Sequence, residues 1–248
     1  MLHTQKIINT HEKGIALFIV IIFVLLSTLL AIWASRSAIF NEMILSNEAD
    51  YQRAFEAAQA LIQDAELDIR NELSNGDPCE KDSINLKICR IGSQYLRFPA
   101  EEQEVSGLFS ELLSIPSSQP PCKDGICLKN HKEQDFWNND DASQGITFEQ
   151  MQSVGARYGE FTGAQIGQNS NPILSDHSQN RGAWYWVEVL SYSKDAANTG
   201  LLVDSNTNIL PLRLEPNIIY RITAVARGLK SNTVVAIQQT YARQRLQD

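Results

Sequence analysis

An uninterrupted apolar segment near the amino terminus constrains this chain more than any other feature. Residues 15–34 contain no charged side chain, and the only hydroxyl groups among them belong to Ser27 and Thr28. As a helix that rises about 1.5 Å per residue, this segment is about 30 Å long, which matches the hydrocarbon core of a bilayer. A secretory signal usually has a shorter apolar core and a cleavage site between small residues. The sequence therefore predicts one membrane-spanning helix over residues 15–34 that the mature protein keeps.

The charges of the chain favour an orientation for this helix and exclude one class of partner. Lys6 and Lys13 precede the segment and Arg36 follows it, a slight bias that favours a cytoplasmic amino terminus and an exported carboxyl-terminal part. The mean hydropathy of the whole chain, −0.23, is that of a soluble protein, and this average conceals the strongly apolar segment. A net charge of −8 with no basic block argues against nucleic acid as a partner, because phosphate binding needs clustered Lys and Arg.

Beyond Arg36 the pattern predicts that the helix continues in amphipathic form. Apolar residues recur every three or four positions, and neither Pro nor Gly occurs between Ile15 and Asn75. Gly76 and Pro78 then indicate the end of the helix. We expect a single helix of about 59 residues whose outer half packs its apolar stripe on a sheet.

The carboxyl-terminal region has the alternating pattern of β-strands. Residues 183–190, 218–227 and 233–241 predict strands, and the turn at 228–232 makes the last two a hairpin within an antiparallel meander. We interpret Trp184-Tyr185-Trp186 as core rather than as a sugar-binding platform. The residues between helix and sheet are rich in turn signals, with short helices expected at 107–113 and 147–154. The fold class is therefore α+β.

All four cysteines lie beyond the apolar segment, at Cys79, Cys89, Cys122 and Cys127. An even number in an exported domain indicates disulfides, and three pairings are possible. We favour local pairing, Cys79 with Cys89 and Cys122 with Cys127. The alternative is a zinc site, although the C-x₉-C and C-x₄-C spacings differ from those of common zinc knuckles.

No pattern in the sequence indicates an enzyme or a cofactor. His131 and His177 are interpreted as loop residues, because Asp176 beside His177 does not form a triad and no nucleophile elbow, HExxH or phosphate-binding Gly-rich loop occurs. One stretch has the spacing of an EF-hand loop, with potential ligands at Asp204, Asn206, Asn208 and Glu215. Ile209 occupies the position that requires Gly, so we interpret the stretch as a turn between strands. We expect no catalytic residues, no metal and no cofactor.

The residues just before the apolar segment resemble the leader of a type IV prepilin. Glu12-Lys13-Gly14 is a short polar sequence that ends in Gly and is followed by Ile15. The resemblance implies that a prepilin peptidase cuts after Gly14 and that Ile15 becomes the methylated first residue. The alternative is that Gly14 is only a helix-entry residue at the membrane boundary. Most pilins have Glu as the fifth mature residue, whereas this chain has Ile19, which either weakens the resemblance or indicates a tip subunit.

Both ends of the chain resemble PilX-type minor pilins. Residues 41–60 carry the Glu-Met, Asn, Asp and Ala-Phe-x-Ala-Ala positions of that family's amino-terminal signature, and residues 220–241 are similar to its carboxyl-terminal motif. The loop from Cys122 to Cys127 resembles the Cys-x-x-Gly-x-Cys loop of these proteins. The resemblance implies a type IV pilin-like fold, with one long helix on an antiparallel sheet. The expected regions are a leader at 1–14, a membrane helix at 15–34, an amphipathic helix at 35–75, a loop-rich insertion with the cysteine loops at 76–182 and the sheet at 183–248.

The resemblance also implies a function. A PilX-type minor pilin belongs to the tip or initiation complex that primes pilus assembly and supports adhesion and twitching motility. Its implied partners are other minor pilins, the major pilin, a PilY-type tip adhesin and the prepilin peptidase. Its implied location is the bacterial inner membrane, with a periplasmic carboxyl-terminal domain, and then the pilus tip. Two alternatives stay open: a minor pseudopilin of a type II secretion system, and an uncleaved membrane-anchored periplasmic binding module.

Overall fold

A computed structural model describes residues 12–79, 85–129, 135–191, 214–230 and 233–244. The chain forms two compact units, residues 1–49 and residues 50–248. Helix α1, Glu12–Arg70, has 59 residues and supplies the described part of the first unit and the start of the second. The single long helix expected from the sequence is therefore confirmed.

Helix α1 ends at Arg70, six residues before the Gly76 that the sequence indicates as its end. Asn71 has a φ of 59°, its N–H donates to the Asp68 carbonyl at 3.0 Å, and the Glu72 N–H donates to the Leu67 carbonyl at 3.0 Å. These two bonds satisfy the last carbonyls of the helix in a Schellman motif. Asn adopts the left-handed conformation more readily than other residues with a Cβ, so Asn71 takes the role that we expected of glycine. Gly76, with a φ of 85°, instead closes the turn that follows.

A five-stranded sheet forms the centre of the second unit, with its strands in chain order: β1 (Cys122–Lys123), β2 (Ile126–Leu128), β3 (Gly182–Ser191), β4 (Leu214–Arg227) and β5 (Val234–Gln244). Strands β3, β4 and β5 form the expected antiparallel meander. Strand β2, however, pairs with β3 in parallel, with Ile126 opposite Val187. The predicted antiparallel sheet is therefore confirmed over β3 to β5, and the insertion adds a parallel strand that makes the whole sheet mixed. The sequence did not indicate this strand, because three residues are too few to show a period of two.

Short helices occupy the connections. They are α2 (Glu102–Leu113), α3 (Phe148–Gln152) and α4 (Pro172–Ser175), with single 3₁₀ turns at Ile88–Arg90 and Phe136–Asn138. Helix α3 begins with a capping box, in which the Thr147 hydroxyl accepts from the Gln150 N–H and the Gln150 side chain accepts from the Thr147 N–H. This reciprocal pair satisfies two N–H groups at the helix start and fixes where α3 begins.

The sheet has an apolar core on each face. On one face, the outer half of α1 packs on the sheet through the small buried residues Ala54, Ala57, Ala58 and Ala65, together with Leu61 and Ile69. On the other face, Trp184 and Trp186 lie with Phe148, Met151 and the disulfide of Cys122 and Cys127. Tyr185 belongs to the helix-facing core, as the alternation of side chains along a strand requires. All three aromatic residues at 184–186 are at most 1 % exposed, which confirms that they are core.

Candidate assembly surface

The first half of α1 is an exposed apolar helix. Every residue from Ile15 to Ala49 is exposed, and among the large apolar side chains the exposed fraction ranges from 39 % at Ile22 to 71 % at Trp33. Among the described residues, this is the one helix long and apolar enough to cross a bilayer. A helix that is apolar all round is stable in lipid or among other apolar helices, and not in water. The segment can therefore anchor the chain in a membrane and can later pack against neighbouring helices.

The polar groups inside this helix are satisfied by the helix itself. The Ser27 hydroxyl donates to the Val24 carbonyl at 2.9 Å, and the Thr28 hydroxyl donates to the Leu25 carbonyl at 2.8 Å. Ile19 presents an apolar side chain that is 46 % exposed. No carboxylate lies between Ile15 and Arg36, so the segment offers no partner for a buried amine.

Apolar exposure continues past the end of the predicted membrane segment. We name Ile39, Phe40, Met43, Ile44 and Leu45 the exposed apolar cluster; their exposed fractions run from 48 % to 70 %. The spacing of these residues follows the turns of α1, and Asn41 and Glu42 lie between them. An exposed apolar patch of this kind marks an interaction surface, because a monomeric soluble protein seldom leaves one uncovered.

The predicted processing site lies at the start of α1. Gly14 and Ile15 are adjacent helical residues, and Ile15 is 64 % exposed. The leader before Glu12 lies outside the described residues. Cleavage after Gly14 and methylation of Ile15 therefore stay predictions.

The two disulfides pair Cys79 with Cys89 and Cys122 with Cys127, which is the local pairing favoured from the sequence. The second disulfide joins β1 to β2 across a turn in which Asp124 and Gly125 have φ angles of 54° and 78°. A Cβ at Gly125 would lie 2.7 Å from the Ala156 Cβ, so the loop requires glycine there. All four cysteines are oxidised, which leaves no thiolate for the zinc site considered as an alternative.

A buried ionic network, which the sequence did not reveal, connects α1 to the loop-rich insertion. The Arg90 guanidinium donates to both carboxylate oxygens of Asp68, at 2.8 and 2.7 Å, and the Tyr185 hydroxyl donates to Asp68 at 2.8 Å. Arg90 also donates to the Leu96 and Asp124 carbonyls and lies 3.6 Å from the centre of the Phe161 ring. The side chains of Arg90 and Asp68 are 3 % and 2 % exposed, so solvent contributes little to the pair.

Asp64, one turn before Asp68, is a second buried carboxylate. It accepts a hydrogen bond from the Gly159 N–H at 2.8 Å and another from the Thr162 hydroxyl. Burial raises the pKa of Asp64 to about 6, because loss of water disfavours the charged form more than the two hydrogen bonds favour it. The nearby carboxylates of Asp68 and Glu160 act in the same direction. Asp64 therefore titrates in a mildly acidic range while it holds the 157–163 loop against α1.

Asp50 fixes the β4–β5 turn to α1. One of its carboxylate oxygens accepts from the Leu229 N–H at 2.8 Å, and the other accepts from the Lys230 N–H at 3.2 Å. These backbone hydrogen bonds, with one from the Thr233 side chain, lower the pKa of Asp50 although burial opposes them. Asp50 is the Asp of the PilX-type signature at residues 41–60. Its hydrogen bonds to the β4–β5 turn explain why an Asp is useful at that position.

The other predicted polar residues form no site within the described part of the chain. His177 is an exposed loop residue, and His131 lies outside the described residues. The EF-hand-like stretch also lies outside them, except that the backbone of Glu215 belongs to β4. Among the described residues, no group of three His, Cys, Asp or Glu side chains is placed to hold a metal ion.

Comparisons with known proteins agree with these features. Neither the curated proteins nor the solved structures that were compared contain a match to the chain. Two family models match: PilX N-terminal over residues 13–62 and Type IV pilus assembly protein PilX C-term over residues 123–243. The first covers the exposed apolar helix and Asp50, and the second covers Lys123 of β1, all of strands β2 to β4, and β5 up to its last residue but one. Since the two models match in the order and at the ends expected, the chain belongs to the PilX family of type IV pilus assembly proteins.

Proposed function

We propose that this PilX-family protein is a minor pilin of the tip or initiation complex that primes the type IV pilus, and that it supports adhesion and twitching motility through the pili that it starts. Its partners in this proposal are other minor pilins, the major pilin and a PilY-type tip adhesin. The observation that carries the proposal is the absence of a carboxylate from the apolar segment, with Ile19 at the fifth position after Gly14.

The argument for the tip follows from charge pairing. In a pilus, the fifth-position carboxylate of one subunit pairs with the terminal amine of a neighbour. A carboxylate in hydrocarbon costs several kcal/mol unless it is paired, so a subunit with no neighbour above it gains nothing from this group. A subunit with Ile19 can offer its own amine but cannot accept one, which suits the end of a filament.

The rest of α1 suits the same role. Before assembly, residues 15–34 hold the chain in the inner membrane, with the second unit in the periplasm. A prepilin peptidase removes the leader after Gly14, and Ile15 becomes the methylated amino terminus. On assembly, the apolar segment leaves the bilayer, and it packs together with the exposed apolar cluster against the helices of neighbouring subunits.

Deletion of the gene tests the initiation role. We expect few or no pili, because initiation fails, and twitching and adhesion are lost with them. Complementation with Ile19→Leu, the matched control, restores piliation. Ile19→Glu does not improve it, since an unpaired carboxylate in the membrane costs about 3 kcal/mol. Normal numbers of pili in the deletion strain would contradict the proposal.

Two further measurements test placement and processing. Immunogold labelling is expected at pilus ends, whereas label spread evenly along the shaft would overturn the tip assignment. The intact mass of protein from piliated cells is expected to correspond to a chain that begins at methylated Ile15. Gly14→Ala is expected to be tolerated, and Gly14→Trp is expected to block cleavage; an intact Met1 end in the wild-type protein would refute the processing step.

A further inference from the structure

A polar cavity lies on the face of the sheet opposite α1, where β4 ends. It has a volume of about 480 Å³, and its lining includes Arg227, Phe148, Asn180, Asp140 and Glu149. We name it the Arg227 cavity. Its volume is within the usual range for small-molecule sites, but most such sites are lined by apolar side chains. A cavity lined largely by polar side chains favours a polar ligand.

Arg227 is the unusual residue of this cavity. Its guanidinium carbon lies 4.7 Å from the centre of the Phe148 ring, which holds the planar group in place. The Nε atom is buried and has no hydrogen-bond partner within the described part of the chain. None of the ion pairs among the described residues includes Arg227. Because Nε is closed to solvent, a ligand in the cavity can meet the partly buried Arg227 side chain only at the terminal N–H groups of its guanidinium.

The guanidinium defines the first feature of the ligand. Its two terminal nitrogens present a planar pair of N–H groups that matches the two oxygens of a carboxylate. Arg90 and Arg221 already bind Asp68 and Glu188 with paired bonds, in their case through Nε and one terminal nitrogen. Arg227 is therefore positioned to bind a carboxylate that arrives from another molecule.

The other polar groups define the second feature. Asp140, Glu149 and Asn180 are exposed, and their side chains take part in none of the hydrogen bonds or ion pairs recorded between described residues. A simple anion would meet the repulsion of Asp140 and Glu149. A carboxylate whose carrier also bears hydroxyl groups offsets this repulsion, because hydroxyls donate to carboxylates and both donate to and accept from an amide.

From these observations we infer that the Arg227 cavity binds a small carboxylate carried on a polyhydroxylated ring, that is, a sugar acid of the hexuronate class. The carboxylate pairs with Arg227, and the ring hydroxyls donate to Asp140 and Glu149 and bond to the Asn180 amide. This proposed ligand site is independent of the position of the protein in the filament and of the processing of its leader.

The test uses the full chain in detergent micelles at neutral pH, with D-glucuronate as the probe and binding followed by ligand-observed NMR and calorimetry. D-glucose lacks the carboxylate and acetate lacks the hydroxyls. We expect glucuronate to bind at least about tenfold more tightly than either, the difference that one good charged contact makes. Arg227→Gln is expected to weaken glucuronate binding by about tenfold or more, and Arg227→Lys to weaken it too, because lysine lacks the planar fork. Arg53→Gln, which removes the same charge from an exposed position on α1, is the matched control and is expected to change nothing.

Each other outcome overturns the inference. Equal binding of acetate and glucuronate would mean a simple contact for carboxylates, such as an acidic side chain of a partner protein. If glucose bound as tightly as glucuronate, the carboxylate would have no role in binding. If Arg227→Gln and Arg53→Gln lost the same affinity for glucuronate, the effect would be one of overall charge and not of this site. If Arg227→Gln does not fold, Asn180→Ala at the exposed rim takes its place, with binding expected to weaken by about threefold. No detectable binding of glucuronate at about 10 mM would also refute the site.

Discussion

Substitution of Asp64 by Asn is expected to remove a pH dependence from the stability of the protein. Asn places an acceptor toward the Gly159 N–H and an amide donor toward the Thr162 hydroxyl, so it reproduces the hydrogen bonding of the protonated acid. It cannot ionise. The comparison of wild type with Asp64→Asn therefore isolates the free energy of ionising this one buried group.

The magnitude follows from the pKa of Asp64, which burial raises from 3.8 to about 6. Between these values the folded protein holds a proton that the unfolded chain has released, so stability falls as pH rises. The contribution of the neutral acid is fully present below pH 3.8 and is lost as the pH passes 6. A shift of this size corresponds to about 3 kcal/mol, from 1.36 kcal/mol for each pH unit.

The assay is denaturant unfolding of the full chain in micelles, with the disulfides intact, followed by the fluorescence of the buried Trp184 and Trp186. The free energy of unfolding of Asp64→Asn minus that of the wild type is expected to rise by about 3 kcal/mol between pH 3.5 and pH 7.5 and then level off. Asp64→Ala serves as the control for lost hydrogen bonds and is expected to be less stable than Asp64→Asn at every pH, because it leaves the Gly159 N–H without its acceptor. A difference between wild type and Asp64→Asn that stays constant across this range would refute the reasoning.

Two further predictions concern packing and charge, and both use the same unfolding assay. Arg90→Ala leaves the Asp68 carboxylate buried without its ion-pair partner and is expected to cost about 3–5 kcal/mol, whereas Arg90→Ala combined with Asp68→Ala should cost less than the sum of the two single changes; full additivity would contradict the network. Gly228→Ala places a Cβ 2.3 Å from an Asp50 carboxylate oxygen and is expected to cost about 1–3 kcal/mol. Gly107→Ala is its control, because a Cβ there meets nothing within 4 Å and should stabilise α2 by up to about 1 kcal/mol; equal effects of the two substitutions would refute the close contact at Asp50.

The parts of the fold that could be predicted are those whose signals are local and repeated. The apolar stripe of α1 recurs over many turns, and the alternation of Ile218, Tyr220 and Ile222 identifies one face of β4. The capping residues of α3 are likewise contained in four consecutive positions. In each case the physical cause, a period or a cap, lies within one element, so the sequence displays it directly.

The parts that could not be predicted depend on residues that are far apart in the chain. Arg90 pairs with Asp68 across 22 positions, and Tyr185 reaches the same carboxylate across 117. Nothing in the local pattern distinguishes Asp64 and Asp68 from solvated residues of an amphipathic helix; only the arrival of the 157–163 loop and β3 buries them. The Arg227 cavity is hidden for the same reason, since Asp140, Asn180 and Arg227 line one cavity only in the folded protein.

The order of the elements along the chain has a consequence for biogenesis. Synthesis begins at the amino end, so α1 is complete long before the strands that cover its apolar face exist. Translation from Arg70 to Arg227 takes on the order of 10–30 s at about 5–20 residues per second. Until β4 is made, Leu61 and Ile69, which are at most 1 % exposed in the finished protein, do not have the complete sheet to pack on. A chain truncated before β4 therefore leaves part of this apolar stripe uncovered.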